Sequence, residues 1–186
     1  MKEIKITQGR VVFIDDEDYE RINQFKWHLH ESKYSCGNLY ARRSIRINGI
    51  RKKILMHREI MNCSFAQSID HIDRNGLNNQ KINLRICTKR QNTWNKKVQK
   101  GREYKGVRKR YPFYKYINAK GETIQKTRPE SYQAVIICNS KSIYLGEFRT
   151  EIEAAIAYNN GAKKYYGEFA VLNIISKRKL NESKNH

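Results

Sequence analysis

The chain has 186 residues, with 38 Lys and Arg against 18 Asp and Glu, a formal charge of +20 and a pI near 9.9. Self-repulsion from such an excess opposes compaction, so the charge indicates a polyanionic partner and not a requirement of the fold. Hydrophobic residues make up 39% and aromatic residues 11% of the chain, which is enough for packed cores and excludes a disordered basic tail.

The sequence also argues against membranes and the secretory pathway. It has no apolar run of about 18 residues, and its N-terminus lacks the apolar segment of a signal peptide. The four cysteines contain no C-x-x-C pair, so we expect reduced, mostly buried thiols and neither a zinc knuckle nor a redox motif. The sequence therefore predicts a cytoplasmic protein that is not secreted and has no membrane span.

Residues 1–56 predict a β-rich N-terminal region. Residues 3–14 alternate around a Gln8-Gly9 turn, which favours a hairpin. The acidic run over 15–18 suits the start of a helix, because carboxylates stabilise the N-terminal end of the helix dipole. Asn48-Gly49 lies between two strand-like stretches and is a strong signal for a two-residue hairpin. Further strand-like segments are residues 27–29 and 34–45.

Residues 57–98 predict a second module of short elements around a polar loop. Thr88 and, three residues later, Gln91 form the pattern of a capping box and predict a helix through Asn95 or beyond. Ten Lys and Arg against one acid occur within residues 89–110, which we interpret as a basic stretch, with a linker over 99–103, lying against a polyanion. A merely solvated charged stretch is the alternative. The other predicted elements are a short helix over 57–61, a strand over 68–72, the polar loop 73–79 and an extended segment over 83–87.

Residues 104–175 follow a third pattern, in which strands precede a long helix. Thr150 and Glu153 form a second capping box, and Gly167 is suited to end the helix. A Lys- and Tyr-rich insert over 111–131 interrupts the strands, and the sequence suggests no role for it. The predicted strands are residues 104–110, 132–138 and 142–148, and a basic tail follows over 176–186.

The groups suited to chemistry are Asp70-His71, Asn83 and Asn92. The pair ends a short strand, and Asn92 lies one turn inside the next helix, so we expect it to face back toward the strand end. A carboxylate and an amide oxygen are hard ligands that suit Mg²⁺. A neutral imidazole, whose ordinary pKa is near ~6.5, can take a proton from water. These groups are suited to phosphodiester hydrolysis, with one metal stabilising charge on the phosphate and the leaving oxygen.

The residues around this site resemble the HNH endonucleases of phages and mobile introns. The resemblance rests on Met56-His57-Arg58, the run Ser68-Ile-Asp-His-Ile-Asp-Arg-Asn-Gly-Leu-Asn-Asn79, Lys81-Ile-Asn-Leu-Arg85 and Arg90-Gln-Asn92. It implies a ββα-metal fold in which Asp70 and Asn92 hold one Mg²⁺ or Mn²⁺ and His71 is the general base. Asn83 corresponds to the middle residue of the signature, which braces the loop and orients the histidine. The paired cysteines of zinc-stapled members are missing, so no structural zinc is expected.

Other polar residues near the motif are interpreted as structural. We expect His57 to pack or cap a helix, and His28 and His30 to have a surface or core role on one strand. Asp73 and three asparagines are expected to shape a tight loop and not to bind metal, because Asn tolerates left-handed backbone. The three asparagines are Asn75, Asn78 and Asn79.

Residues 104–173 resemble the APETALA2/ethylene-response-factor type of DNA-binding domain. The matching pieces are Tyr104-Lys-Gly-Val-Arg108-Lys-Arg110, Ile143-Tyr144-Leu-Gly-Glu-Phe148, Glu153-Ala-Ala-Ile-Ala-Tyr158 and Gly167-Glu-Phe-Ala-Val-Leu-Asn173. The resemblance implies a three-stranded antiparallel sheet packed on one helix, with the sheet in the major groove of double-stranded DNA. The expected DNA-binding residues are Arg108, Lys109, Arg110 and Tyr144, together with Lys96 and Lys97 of the basic stretch.

The sequence departs from that family in its second and third strands. Val135 and Ile137 replace polar contact residues, Ser142 replaces a basic one, and the insert 111–131 has no counterpart. A target sequence therefore does not follow from the resemblance.

Together these features predict an α+β protein that is a metal-dependent DNA endonuclease of the homing or phage type. A single site cuts one strand per visit, so we expect a monomer that nicks DNA in the cytoplasm of the host of a phage or mobile element. Two alternatives stay open. One is a DNA-binding regulator with an inactive HNH scaffold. The other is a protein that binds or cleaves RNA, for which the tyrosine-rich insert leaves room.

Overall fold

The computed structural model describes residues 1–32, 38–64, 66–99, 101–176 and 178–180. The chain divides into two compact units, Met1–Asn95 and Lys96–His186. Each unit combines small antiparallel sheets with few helices, so the α+β class predicted from the sequence is confirmed.

The first unit begins with the predicted hairpin and helix. Strands β1 (Lys2–Lys5) and β2 (Val11–Ile14) pair antiparallel across a 3-10 turn at Thr7–Gly9. Helix α1 (Asp16–Asn23) follows, with three acidic residues in its first turn, where they stabilise the helix dipole.

A three-stranded antiparallel sheet comes next, in the order β3-β4-β5. Residues Asn48 and Gly49 join its second and third strands with φ angles of 51° and 76°, which is the left-handed pair that a two-residue hairpin requires. Residues 34–37 of the predicted second strand lie outside the described residues. The elements are β3 (His28–Glu31), β4 (Leu39–Ile47), β5 (Ile50–Leu55) and the short helix α2 (Met56–Ile60).

The predicted nuclease segment folds as two strands followed by a helix. Strands β6 (Ser68–His71) and β7 (Leu84–Cys87) pair antiparallel, and a 3-10 turn at Lys81–Asn83 leads into the second strand. Helix α3 (Lys89–Trp94) begins after Thr88 with both halves of the predicted capping box in place.

One hydrophobic core joins the N-terminal strands to this segment. Fully buried Trp27, Ile14 and Met56 belong to the same cluster as Ile69 and Leu84 of the β6–β7 hairpin. Two short strands and one short helix bury too little apolar surface to fold alone, so the N-terminal residues supply the rest of the core. The structure thus places residues 1–56 and most of 57–98 in one compact unit.

The second unit contains a sheet in the order β12-β11-β8, with helix α4 packed on one face. The first strand begins at Val107, later than predicted, because Tyr104 is buried and Gly106 turns the chain with a φ of 74°. A Cβ at Gly106 would overlap the Tyr158 ring, so only glycine lets the helix approach this closely. The elements are β8 (Val107–Arg110), β11 (Ser131–Cys138), β12 (Lys141–Phe148) and α4 (Glu151–Tyr166).

The insert 111–131 forms a hairpin that we did not predict. Strands β9 (Phe113–Ile117) and β10 (Thr123–Thr127) make a two-stranded antiparallel sheet of their own. At the turn, the Asn118 side chain accepts hydrogen bonds from the backbone N–H groups of Lys120 and Glu122, both at 2.9 Å. The sequence signal for this hairpin is the enrichment of aromatic and β-branched residues, which favour strands, in 113–117 and 123–127.

The described cysteines are free thiols. Cys87 is buried, whereas Cys63 and Cys138 are half-buried, and Cys36 lies outside the described residues. Across the described part of the chain, no helix combines the length and the apolar character that crossing a membrane would need.

Candidate active site

Asp70 and His71 stand at the end of β6, where they pair with Arg85 and Leu84 of β7. Both are almost fully buried, with 4% and 5% of their surface exposed. Neighbouring residues of a strand point to opposite faces, and the contacts of the two side chains follow that rule. The carboxylate of Asp70 meets Arg85 and Asn95, whereas the ring of His71 meets Tyr40 and His57.

The Asp70 carboxylate is held by charged and neutral donors. Arg85 donates to Oδ2 from Nε at 2.9 Å and from Nη2 at 2.7 Å. Asn95 donates from Nδ2 to Oδ1 at 2.9 Å and to Oδ2 at 3.0 Å. Only 5% of the Asp70 side chain and 13% of the Arg85 side chain are exposed. The ion pair is therefore an internal one, in which each charge depends on the other.

Asn95 is a site residue that the sequence analysis missed. It is buried at the C-terminal end of α3, and besides holding Asp70 it donates to the backbone carbonyl of His71 at 2.8 Å. Asn92, the residue we predicted to face the strand ends, is half-buried one turn earlier. The available signal was the spacing, because residues three apart on a helix share a face.

The surroundings of the His71 ring favour its uncharged form. Its Nε2 lies 3.4 Å from Oδ1 of the buried Asn79, whose amide nitrogen faces the carbonyl of Gly76 at the same distance. An amide oxygen only accepts, so this contact favours the tautomer with the proton on Nε2 and the lone pair on Nδ1. Burial lowers the pKa of His71, against the opposing effects of Asn79, Asp73 and Asp70. The ring is consequently uncharged at neutral pH.

Two aromatic rings pack around the His71 imidazole. The His57 ring lies edge-on to His71 with centroids 4.9 Å apart, and Tyr40 lies 5.6 Å from His57 and 5.8 Å from His71. Burial, followed by the charges of His71 and Arg58, lowers the pKa of His57 to about 3. As expected from the sequence, His57 is a packing residue, and it packs directly against the candidate base.

The Asn83 side chain makes hydrogen bonds to the polar loop 73–79, which precedes it in the chain. Its Nδ2 donates to Oδ1 of Asp73 at 2.9 Å and to the Asn78 carbonyl at 2.8 Å, and its Oδ1 accepts from the Asp73 backbone at 3.0 Å. The described contacts of its side chain are thus to the loop, and the side chain that accepts from the His71 ring is Asn79.

The rest of the loop is shaped as the sequence predicted. The Asp73 carboxylate also accepts from the Asn75 backbone and from the Asn78 side chain, each at 2.8 Å. Gly76 lies against β4, where a Cβ would come within 2.6 Å of the Tyr40 ring. The loop is therefore anchored to the sheet that also supplies Tyr40.

Few side chains of the site are suited to binding a metal ion. Within the described ranges, no group of three or more His, Cys, Asp or Glu is arranged to hold a metal ion. A metal at Asp70 would depend on one carboxylate together with amide oxygens and water, which is a set that Mg²⁺ accepts. Oδ1 of Asp70 accepts one of the described hydrogen bonds and Oδ2 accepts three, so Oδ1 retains a lone pair for a cation.

The predicted DNA-binding residues fall into two sets in the second unit. Arg108, Arg110 and Tyr144 lie on the face of the β8–β11–β12 sheet opposite α4. The residues that they pair with on β11 alternate with the buried residues of that strand, and the buried residues face α4. Lys109 points to the other face of the sheet, and its Nζ is 2.9 Å from the Glu130 carboxylate. Lys96 and Lys97 are exposed at the start of the unit.

Replacing Asn95 by Ala is expected to lower the free energy of unfolding by ~1–3 kcal/mol, because buried acceptors on Asp70 and His71 lose their donor. Chemical denaturation of the full chain measures the effect. Asn92→Ala is the matched control on the same helix, and it should leave stability unchanged. Equal stability of Asn95→Ala and the unmodified protein would contradict the positioning role of Asn95.

Comparison with known proteins gives one relative. The chain is 27% identical over 168 residues to an uncharacterized HNH endonuclease of Acanthamoeba polyphaga mimivirus, a match that covers 90% of this chain and 77% of that protein. A match of this length includes most of both compact units. No family model matches the chain, and no solved structure matches it.

Proposed function

We propose that the protein is a metal-dependent HNH endonuclease that hydrolyses the phosphodiester bonds of double-stranded DNA. The observation that carries the proposal is the buried carboxylate of Asp70 next to the neutral imidazole of His71 at the end of β6. The similarity to a viral protein named as an HNH endonuclease supports a nuclease function.

His71 has the properties of a general base. Its lowered pKa keeps the ring free of a proton at neutral pH, and the Asn79 contact leaves Nδ1 able to accept one from water. His57 and Tyr40 pack against the ring and fix its plane. A base held in one orientation directs the water that it deprotonates toward the phosphate.

Asp70 and a carboxamide of α3 are the groups that would hold Mg²⁺ or Mn²⁺. Asn92 is the residue that the sequence resemblance assigns, and Oδ1 of Asp70 has a lone pair available. The metal would supply positive charge to the phosphate and to the leaving oxygen. Arg85 and Asn95 hold the Asp70 carboxylate in one orientation, so that its Oδ1 is available to a metal without rearrangement of the side chain.

The second unit supplies the proposed DNA-binding surface. Arg108, Arg110 and Tyr144 share the solvent-facing side of its sheet, and the chain carries a charge of +20. Arg side chains bind phosphates and can read guanine with two hydrogen bonds. Lys96 and Lys97 add exposed positive charge, whereas Lys109 is less available because it pairs with Glu130.

Incubation of supercoiled plasmid with the full chain tests this function. We expect nicked circles in the presence of Mg²⁺ and none with a chelator, because one site in a monomer cuts one strand per visit. A structured RNA under the same conditions should stay intact. Plasmid binding without any cleavage would favour a DNA-binding regulator, and cleavage of the RNA alone would favour a ribonuclease.

A further inference from the structure

We propose that the β9–β10 hairpin and the adjoining end of β8 form a binding site for an unpaired DNA strand. The two elements enclose an open cleft of about 550 Å³. Its lining combines three cations with two aromatic rings, which is the composition of sites that hold bases and phosphates together. The lining residues are Lys109, Arg110, Tyr111, Tyr114 and Arg128.

One face of the hairpin carries a row of rings and cations. Tyr114 and Tyr116 are stacked with centroids 6.2 Å apart and planes 28° apart. The Arg128 guanidinium lies 5.0 Å from the Tyr114 centroid, and the Lys126 ammonium lies 5.5 Å from that of Tyr116. Bases stack on tyrosine rings and on guanidinium planes, so the flat groups of this row offer surfaces of the kind that a base can extend.

The opposite face of the hairpin carries two large apolar side chains that are open to solvent. Phe113 is 57% exposed and Ile117 is 72% exposed, and both alternate with the tyrosines along β9. A two-stranded hairpin is only marginally stable in water by itself. Large apolar groups on both faces of such a hairpin indicate a surface that a partner covers.

Charge identifies the partner as a polyanion. Residues 109–128 contain six Lys and Arg against one acid, Glu122. Arg110 has its buried Nε without a hydrogen-bond partner in the described structure, so the protein does not hold its guanidinium through that atom. Unsatisfied buried donors are uncommon in folded proteins, which makes this residue a candidate to reorganise around a phosphate.

The aromatic groups distinguish an unpaired strand from a duplex. In a duplex the faces of the bases are stacked on one another, and a protein reaches only their edges and the phosphates. In an unpaired strand the faces are free to stack on aromatic side chains. The choice of DNA over RNA rests on the proposed function, in which DNA is the substrate.

Binding titrations with the full chain in chelator test the site without requiring cleavage. The probes are a fluorescent oligothymidine, a duplex of equal length and an oligouridine. Tyr114→Ala and Arg128→Ala should each weaken oligothymidine binding about tenfold, as expected for loss of one stacked base. Both variants should bind the duplex within a few fold of the unmodified protein.

Three further variants serve as controls. Lys115→Ala removes a charge from the other face of the same hairpin, and it should weaken oligothymidine binding much less than Arg128→Ala. Tyr114→Phe keeps the ring and should bind as the unmodified protein does, which separates loss of stacking from loss of folding. Arg108→Ala should weaken duplex binding and spare oligothymidine binding, because it lies on the sheet and not on the hairpin.

Equal losses from Lys115→Ala and Arg128→Ala would overturn the proposal, since they would reduce the hairpin to an unspecific positive charge. Tighter binding of oligouridine than of oligothymidine would also overturn it, by replacing DNA with RNA. A protein that binds oligothymidine as expected but does not nick plasmid would refute the proposed function and leave this site standing.

Discussion

Replacing His71 by Ala is expected to slow plasmid nicking by ~10²–10⁴-fold while duplex affinity stays within a few fold. In the proposed reaction the imidazole takes a proton from water, and the ring is buried against Tyr40 and His57, so its loss should alter the reaction and not the binding surface. Single-turnover nicking rates and duplex titrations measure the two effects separately. His28→Ala removes an exposed histidine from the same unit and should match the unmodified protein.

The pH dependence of nicking gives a second measurement of the same group. Burial lowers the pKa of His71 below its ordinary value of 6.5. The rate should therefore stay level as the pH falls through 6.5 and should decline only in more acidic solution, where the ring becomes protonated. Nicking at the unmodified rate by His71→Ala would remove the residue from the mechanism.

Replacing Asp70 by Asn is expected to abolish Mg²⁺-dependent nicking and to cost less stability than Asp70→Ala. The amide keeps the shape of the side chain and one oxygen that can accept from Arg85 or Asn95, but it lacks the charge that attracts a cation. Asp70→Ala should be different, because it removes the carboxylate that pairs with the largely buried Arg85 guanidinium. Such a loss costs ~3–5 kcal/mol of unfolding free energy.

The double variant Asp70→Ala/Arg85→Ala separates the two roles of this carboxylate. Removing both charges should recover much of the stability that Asp70→Ala loses, because the buried guanidinium is removed together with the carboxylate that pairs with it. Nicking should not recover. Denaturant unfolding and a Mg²⁺ titration of the rate measure the two properties, and unchanged Mg²⁺ dependence in Asp70→Ala would refute the metal assignment.

Local signals in the sequence predicted most elements. The Asn48-Gly49 turn and the capping boxes at Thr88 and Thr150 lie where they were expected, since each depends on residues within one turn of the chain. The Asp70-His71 pair also ends its strand as predicted. These features need no knowledge of distant contacts.

The parts that were not predicted depend on residues far apart in the chain. Tyr40 reaches His71 only because the loop at Gly76 packs on β4, and no spacing rule connects them. Arg85 faces Asp70 through the register of two strands. The donor to Asp70 is Asn95 because the final turn of α3 lies against the strand, a detail of packing that the capping signal does not determine.

The shared core of the first unit has a practical consequence for protein engineers. Trp27, Ile14 and Met56 pack in one cluster with Ile69 and Leu84, so we do not expect the 57–98 segment to fold when it is transferred alone to another protein. A transfer to another protein needs the preceding 56 residues as well. Those residues and the segment after them together form the compact unit Met1–Asn95. Its junction belongs after Asn95, since a cut one residue earlier would discard the amide that ties the helix to Asp70.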